Sequence, residues 1–148
     1  MRLSELFREV EFDGSIKNDA DINLVTDDSR LVRPGSLFVC IRHRSFDGHT
    51  AALDALASGA EAVVTQDRLG LENELHVADS RSAYARLCAA LCNHPERRLR
   101  MIGVTGTNGK TTVTTLIRNI LSDSGTKTLL PGTVCNRLGD ENLPSGLT

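Results

Sequence analysis

Aromatic residues are scarce in this 148-residue sequence: four Phe, one Tyr and no Trp. Its interior must therefore be built from Leu, Val, Ile and Ala. Neither charge sign dominates, with 17 Lys and Arg against 19 Asp and Glu and a net charge of −2. A general nucleic-acid binder would carry a basic patch, so no nucleic-acid partner is expected. No apolar run approaches the roughly 20 residues that cross a bilayer, so membrane insertion is not expected either. Met1-Arg2-Leu3-Ser4-Glu5-Leu6 has an early acid and no long apolar stretch, and does not read as a secretory signal. A soluble, cytoplasmic, monomeric protein is the expectation. No second cysteine pair at zinc-finger spacing accompanies Cys88 and Cys92, so they read as packing or surface thiols, and Cys40 as a small buried filler. Repeats and low-complexity segments are absent.

What is present is a pattern of strands alternating with helices, the signature of an α/β protein. Residues 1–21 read as a short helix and a polar loop. Strands are expected at Ile22–Thr26, Leu37–Ile41, Ala62–Val64 and Leu75–Ala78. A helix from about Thr50 to Ser58 should stop at Gly59, and a second, capped by Ser80, should run to about Asn93. His94-Pro95-Glu96-Arg97-Arg98 breaks the pattern and marks a boundary, so domains are placed at 1–95 and 98–148. Beyond it a strand is expected over Leu99–Val104. A helix follows with Val113, Leu116, Ile117, Ile120 and Leu121 on one face, ending at Gly125. A strand over Lys127–Leu130 is the last element expected; the polar residues after Pro131-Gly132 read as irregular.

Between the strand expected at Leu99–Val104 and the helix after it lies Thr105-Gly106-Thr107-Asn108-Gly109-Lys110-Thr111-Thr112. Two glycines let the backbone curl so that N–H groups converge, and a helix starting there turns its positive end toward an anion. Lys110 would meet the outer phosphates of a nucleotide, and the Thr111 hydroxyl would face Mg²⁺. The general phosphate-loop pattern places a further glycine where this chain has Val104; Gly103 sits one residue too early.

That departure carries its own information. The segment Thr105–Thr112 resembles the ATP loop of the Mur ligases, and folylpolyglutamate synthetases have related loops. The resemblance extends through Asp28-Ser29-Arg30, Pro34-Gly35-Ser36-Leu37-Phe38-Val39, Asp47-Gly48-His49, Gly59-Ala60 and Ala62-Val63-Val64. These look like the N-terminal domain of the Mur ligase that adds the third peptide residue to UDP-N-acetylmuramoyl-L-alanyl-D-glutamate. Gly132-Thr133 and Leu143–Thr148 look like the approach to that enzyme's Thr-Thr-Pro substrate segment. Two places depart from the family: Arg42-His43 occupies a stretch where Gly is usual, and Asp27 stands where an apolar residue is common.

The resemblance implies a small N-terminal α/β Mur-ligase domain followed by the truncated start of a P-loop-containing central domain. It implies ATP and Mg²⁺ as cofactors, and UDP-N-acetylmuramoyl-dipeptide and a diamino acid, lysine or diaminopimelate, as substrates. By the same resemblance Gly106, Thr107, Asn108, Gly109, Lys110, Thr111 and Thr112 bind ATP, with Lys110 catalytic and Thr111 on the metal. Ser29, Arg44, Ser45 and Phe46 would contact the uridine nucleotide, and Thr148 the substrate. His43, His49 and His76 read as surface or structural. The resemblance covers the first of the family's three domains and the opening of the second, so these residues by themselves are expected to lack ligase activity. A D-Ala-D-Ala-adding Mur ligase, a folylpolyglutamate-synthetase-like ligase and a non-catalytic UDP-sugar-binding remnant remain the alternatives.

Overall fold

The computed structural model describes residues 1–132 and 136–143. The chain divides into two units, Met1–Leu99 and Arg100–Thr148.

The first unit is built on four parallel strands, β1 (Leu24–Thr26), β2 (Ser36–Val39), β3 (Ala60–Thr65) and β4 (Glu74–His76), hydrogen-bonded in that order. Parallel strands need cover on both faces. Alternation along the strands supplies two apolar surfaces. Leu37, Val39 and Ile41 face one cluster with Ala62, Val64 and Leu75, which α1 (Leu3–Leu6) and α3 (Ser80–Leu91) cover through Leu3, Leu6, Ala83, Leu87 and Ala90. Phe38, Cys40 and Val63 face the other, covered by α2 (Ala52–Ala57) through Ala52 and Ala55. Strands β2 and β3 slip by one residue between Ser36↔Ala60 and Leu37↔Ala62. The residue skipped is Glu61, whose carboxylate accepts the Gly35 N–H at 3.2 Å.

Both long connections end on positive-φ residues. At the end of α2 sits Gly59, at φ +100°. Helix α3 stops at Leu91, earlier than the sequence suggests, because Asn93 adopts φ 57° and two bonds close the last turn: Asn93 N–H to Ala90 O at 2.9 Å and His94 N–H to Ala89 O at 2.7 Å. At its start the capping residue is Asp79, not Ser80: the carboxylate accepts the N–H groups of Arg81 and Ser82. The first strand begins two residues later than expected, because Ile22 N–H is taken by Met1 O.

The second unit holds α4 (Lys110–Asp123) and a three-stranded antiparallel sheet, β5 (Leu129–Leu130), β6 (Asn136–Leu138) and β7 (Glu141–Leu143). Gly125 closes α4 as expected, with its N–H on Ser122 O and that of Thr126 on Leu121 O, both at 2.9 Å. Two expectations fail here. The strand over Leu99–Val104 does not form among the described residues. A strand exists only through a ladder, and no described strand pairs with this segment. Conversely, the residues after Gly132 expected to be irregular contain a hairpin, β6–β7, turned at Gly139-Asp140 with Gly139 at φ +57°.

The core of the first unit yields a direct test. Leu87 is fully buried between α3 and the sheet. Leu87→Ala should lower the unfolding free energy by about 2–5 kcal/mol, read from urea denaturation of the 148-residue chain followed by far-UV dichroism. A loss below about 1 kcal/mol would mean that this helix is not packed as described.

Candidate functional site

Because the four strands of the first unit are parallel, their carboxyl ends lie along one edge, where ligands of open α/β sheets gather. The residues leaving those ends are polar. After β1 comes Asp27-Asp28-Ser29-Arg30, after β2 the loop Arg42–Asp47, after β3 Gln66-Asp67, and after β4 Asp79 and Arg81.

Asp28 caps the short turn Ser29–Leu31: its carboxylate accepts the Arg30 N–H at 3.0 Å and receives the Arg30 guanidinium through Nε at 2.8 Å and Nη2 at 2.6 Å. The Arg30 side chain and N–H hold the Asp28 carboxyl down at about 2. Ser29 is half-buried at the start of that turn.

The loop after β2 is a tight reversal. His43 N–H donates to Phe46 O at 2.8 Å and Gly48 N–H to Ile41 O at 2.9 Å. Gly48 is required by close approach, since a Cβ there would lie 2.8 Å from Ile41 N and 2.9 Å from its O. Arg42 Nε bonds Asp47 at 2.9 Å and its Nη2 bonds Asp67, while its carbonyl accepts Arg81 Nη2 at 2.7 Å. The His49 ring is nearly buried. Its Nδ1 meets Asp47 Oδ1 at 2.6 Å, and its Nε2 accepts the N–H groups of Gln66 at 3.1 Å and Asp67 at 3.3 Å. Bonds from the His49 ring and N–H, then from Arg42, hold the Asp47 carboxyl far below the usual carboxylate range. Arg44, Ser45 and Phe46 are exposed at the tip, Phe46 at 49%. The sequence left Arg42, Asp67 and Arg81 unassigned; the only signal that could have found them was their position just beyond strand ends.

The glycine loop belongs to the second unit. Gly106 (φ +145°) and Gly109 (φ +76°) take backbone conformations that other residues rarely adopt, and α4 starts at Lys110. Among the described residues no side chain caps its N-terminus, and no acid lies in its first turn, so the positive end of the helix is left open there. Lys110 Nζ folds back onto Gly106 O at 2.6 Å and Thr107 O at 3.4 Å. Thr107, Asn108, Thr111 and Thr112 are exposed, and none of the described residues lies within 4 Å of a Cβ built at Gly109. An uncapped helix start, a lysine held over the loop and open space beside it fit the phosphates of a nucleotide. Thr111 offers a hydroxyl to a cation, one oxygen of the roughly six that Mg²⁺ takes, the rest coming from phosphates, water or other protein groups. Thr148 lies outside the described residues. The structure gathers Ser29 and Arg44–Phe46 at one edge of the first unit, and Gly106–Thr112 in the second.

Comparison with known proteins decides the family. The model of the Mur ligase family, catalytic domain, matches residues 21–97, and that of the Mur ligase middle domain matches residues 104–148. The chain belongs to the Mur ligase family. It is 37% identical over 145 residues to the UDP-N-acetylmuramoyl-L-alanyl-D-glutamate--2,6-diaminopimelate ligase of Listeria monocytogenes, across 97% of this chain and 30% of that protein. A solved structure of a ligase of that name superposes with a TM-score of 0.76 at 29% identity, over 97% of this chain and 30% of the other. The MurF ligase of Thermotoga maritima in complex with ADP gives a TM-score of 0.51 at 28% identity, over 67% of this chain and 23% of the other. The chain thus spans about 30% of the length of the relatives it matches. No helix among the described residues is long and apolar enough to cross a membrane.

The depressed Asp28 carboxyl sets a pH dependence at the Ser29 turn. A carboxyl whose folded value lies below its ordinary 3.8 adds stability above that pH and loses it as pH falls toward about 2. Acid titration of the wild-type chain should show stability declining through that window. Asp28→Asn should flatten the decline, measured as urea midpoints at a series of pH values; an unchanged slope would count against the Asp28–Arg30 pair.

Proposed function

We propose that this chain supplies the nucleotide-sugar-binding unit and the ATP-phosphate loop of an ATP-dependent ligase of peptidoglycan precursor synthesis. The reaction joins a third residue to UDP-N-acetylmuramoyl-L-alanyl-D-glutamate in the cytoplasm. The observation that carries this reading is the match, over 97% of this chain, to a structure of a ligase acting on that dipeptide. The names of the relatives make diaminopimelate the first amino acid to test, with lysine beside it. The likeness to the MurF ligase is weaker in both TM-score and coverage, which ranks that activity second.

Bound ATP would supply the γ-phosphoryl group that converts the substrate's glutamate carboxylate into an acyl phosphate for attack by the incoming amine. The part of this chain is electrostatic and positional. Charge spreads over the transferring oxygens in such a step. Lys110, released from the carbonyls of Gly106 and Thr107, and the free N–H groups at the start of α4 would meet that charge; Thr111 would hold the metal. Gly106 and Gly109 give the backbone its curl, and Thr107, Asn108 and Thr112 line the loop. At the other site, Ser29 and the Arg44–Phe46 tip would receive the uridine nucleotide. Thr148 is assigned to substrate by resemblance alone.

Two measurements test the reading. In the complete enzyme, Lys110→Ala should cut kcat on the order of 10²–10³-fold with the melting temperature unchanged, because a preorganised charge contact is lost. Activity within a factor of two of wild type would sink the loop assignment. With the 148-residue chain, chemical-shift mapping with UDP-N-acetylmuramic acid should perturb Ser29 and residues 44–46; shifts confined to residues remote from both would reject the uridine site.

A further inference from the structure

Two residues that leave neighbouring strand ends of the first unit meet in space. Asp27 leaves β1 and His43 leaves β2, and His43 Nε2 lies 3.3 Å from Asp27 Oδ2. On α3 the half-buried Tyr84 hydroxyl is pushed up to about 12 by burial, then by the neighbouring Cys88 and Asp27. The Asp27 carboxylate therefore ties the end of β1 to the loop after β2. His43 is also the residue whose N–H closes the reversal onto Phe46 O, and the residues between are the exposed Arg44 and Ser45. On the other side of the reversal, Arg42 is held by Asp47 and Asp67, and its carbonyl by Arg81.

The Asp27 and His43 side chains are 28% and 45% exposed, and an ion pair so placed contributes little to global stability. Its effect is local. A loop free to sample many conformations must be ordered when a ligand binds, and that ordering opposes binding; a loop already held avoids it. Where a glycine would leave residue 43 free, this chain places a side chain that is anchored to the neighbouring strand end.

We propose that Asp27 and His43 are positioning residues that hold the Arg44-Ser45-Phe46 tip in one conformation and so set the affinity of this edge for the nucleoside diphosphate end of the substrate. The proposal rests on the reading of that edge given under Proposed function. It differs from that reading in assigning a role to two residues that need not touch the ligand.

The test uses the 148-residue chain with Asp27→Leu, His43→Gly and the double variant, and Lys17→Ala, which removes a surface pair with Glu72, as control. Two quantities are read: hydrogen-exchange protection of the residue-43 amide, and affinity for UDP by calorimetric titration. Each single substitution should reduce protection about tenfold and weaken UDP binding about tenfold, with the melting temperature unchanged. The double variant should be no worse than the worse single one, since both remove the same contact. The control should change neither quantity. Unchanged protection in both single variants overturns the positioning role, and reduced protection with unchanged UDP affinity overturns its link to binding. Failure of the wild-type chain to bind UDP would overturn the nucleotide reading and the affinity claim with it, while the exchange measurement still decides whether the pair holds the tip.

Discussion

Everything in the first unit depends on four short strands running the same way. A parallel strand must be covered on both faces, and each crossover returns the chain to the same starting edge. The central strand β2 shows the consequence: Leu37, Phe38, Val39 and Cys40 are all fully buried, alternately toward the α1/α3 side and the α2 side. Cys40 is one of these packing groups, and burial pushes its thiol up to about 12. The polar residues that cannot enter such a core collect where the strands end. That polar edge is therefore a by-product of the sheet, and its particular chemistry comes from a few residues immediately after each strand.

Those residues form a network of hydrogen bonds and ion pairs. Asp28 is taken by Arg30, Asp47 by His49 and Arg42, Asp67 by Arg42, and Asp27 by His43. Most of these groups are solvent-exposed, and exposed pairs add little to overall stability. Their joint effect is to fix the geometry of loops with almost no apolar contacts. Among the described residues, Arg44 at the tip has no such partner, with Ser45 and Phe46 exposed beside it.

Legibility in the sequence followed the range of the interactions. Periodicity located the helices and the strands of the first unit, because each buried face repeats within a few residues. Helix ends were readable where glycine set them, at Gly59 and Gly125, and misjudged at Asn93, which takes the left-handed conformation without being glycine. The start of α3 was assigned to Ser80 because serine caps helices, but Asp79 one residue earlier reaches two amides. The Gly139-Asp140 pair was a two-residue hairpin signal that the polar surroundings obscured. At the candidate site, the glycine loop and Asp47-Gly48-His49 stood out as local strings. The Asp27–His43 and Arg42–Asp67 pairs did not, since each joins loops from different strands and only the sheet brings them together.

The same division between local and distant causes explains the second unit. Both ends of α4 are settled by neighbours in sequence: Gly109 opens it and the Gly125 turn closes it. Its face is another matter. Ile117 and Leu121 are half-buried, yet Val113, Leu116 and Ile120 remain 43%, 56% and 68% exposed. The segment before the loop has the apolar residues of a buried strand, with Leu99, Met101 and Ile102 at 58%, 76% and 59% exposure, but no ladder partner among the described residues. A helix start with uncapped N–H groups can be made by a dozen residues alone. A parallel strand cannot, because its hydrogen bonds belong to other segments. The glycine loop thus keeps the part of its geometry that is written locally, the glycine curl and the uncapped helix start, while among the described residues no strand precedes it.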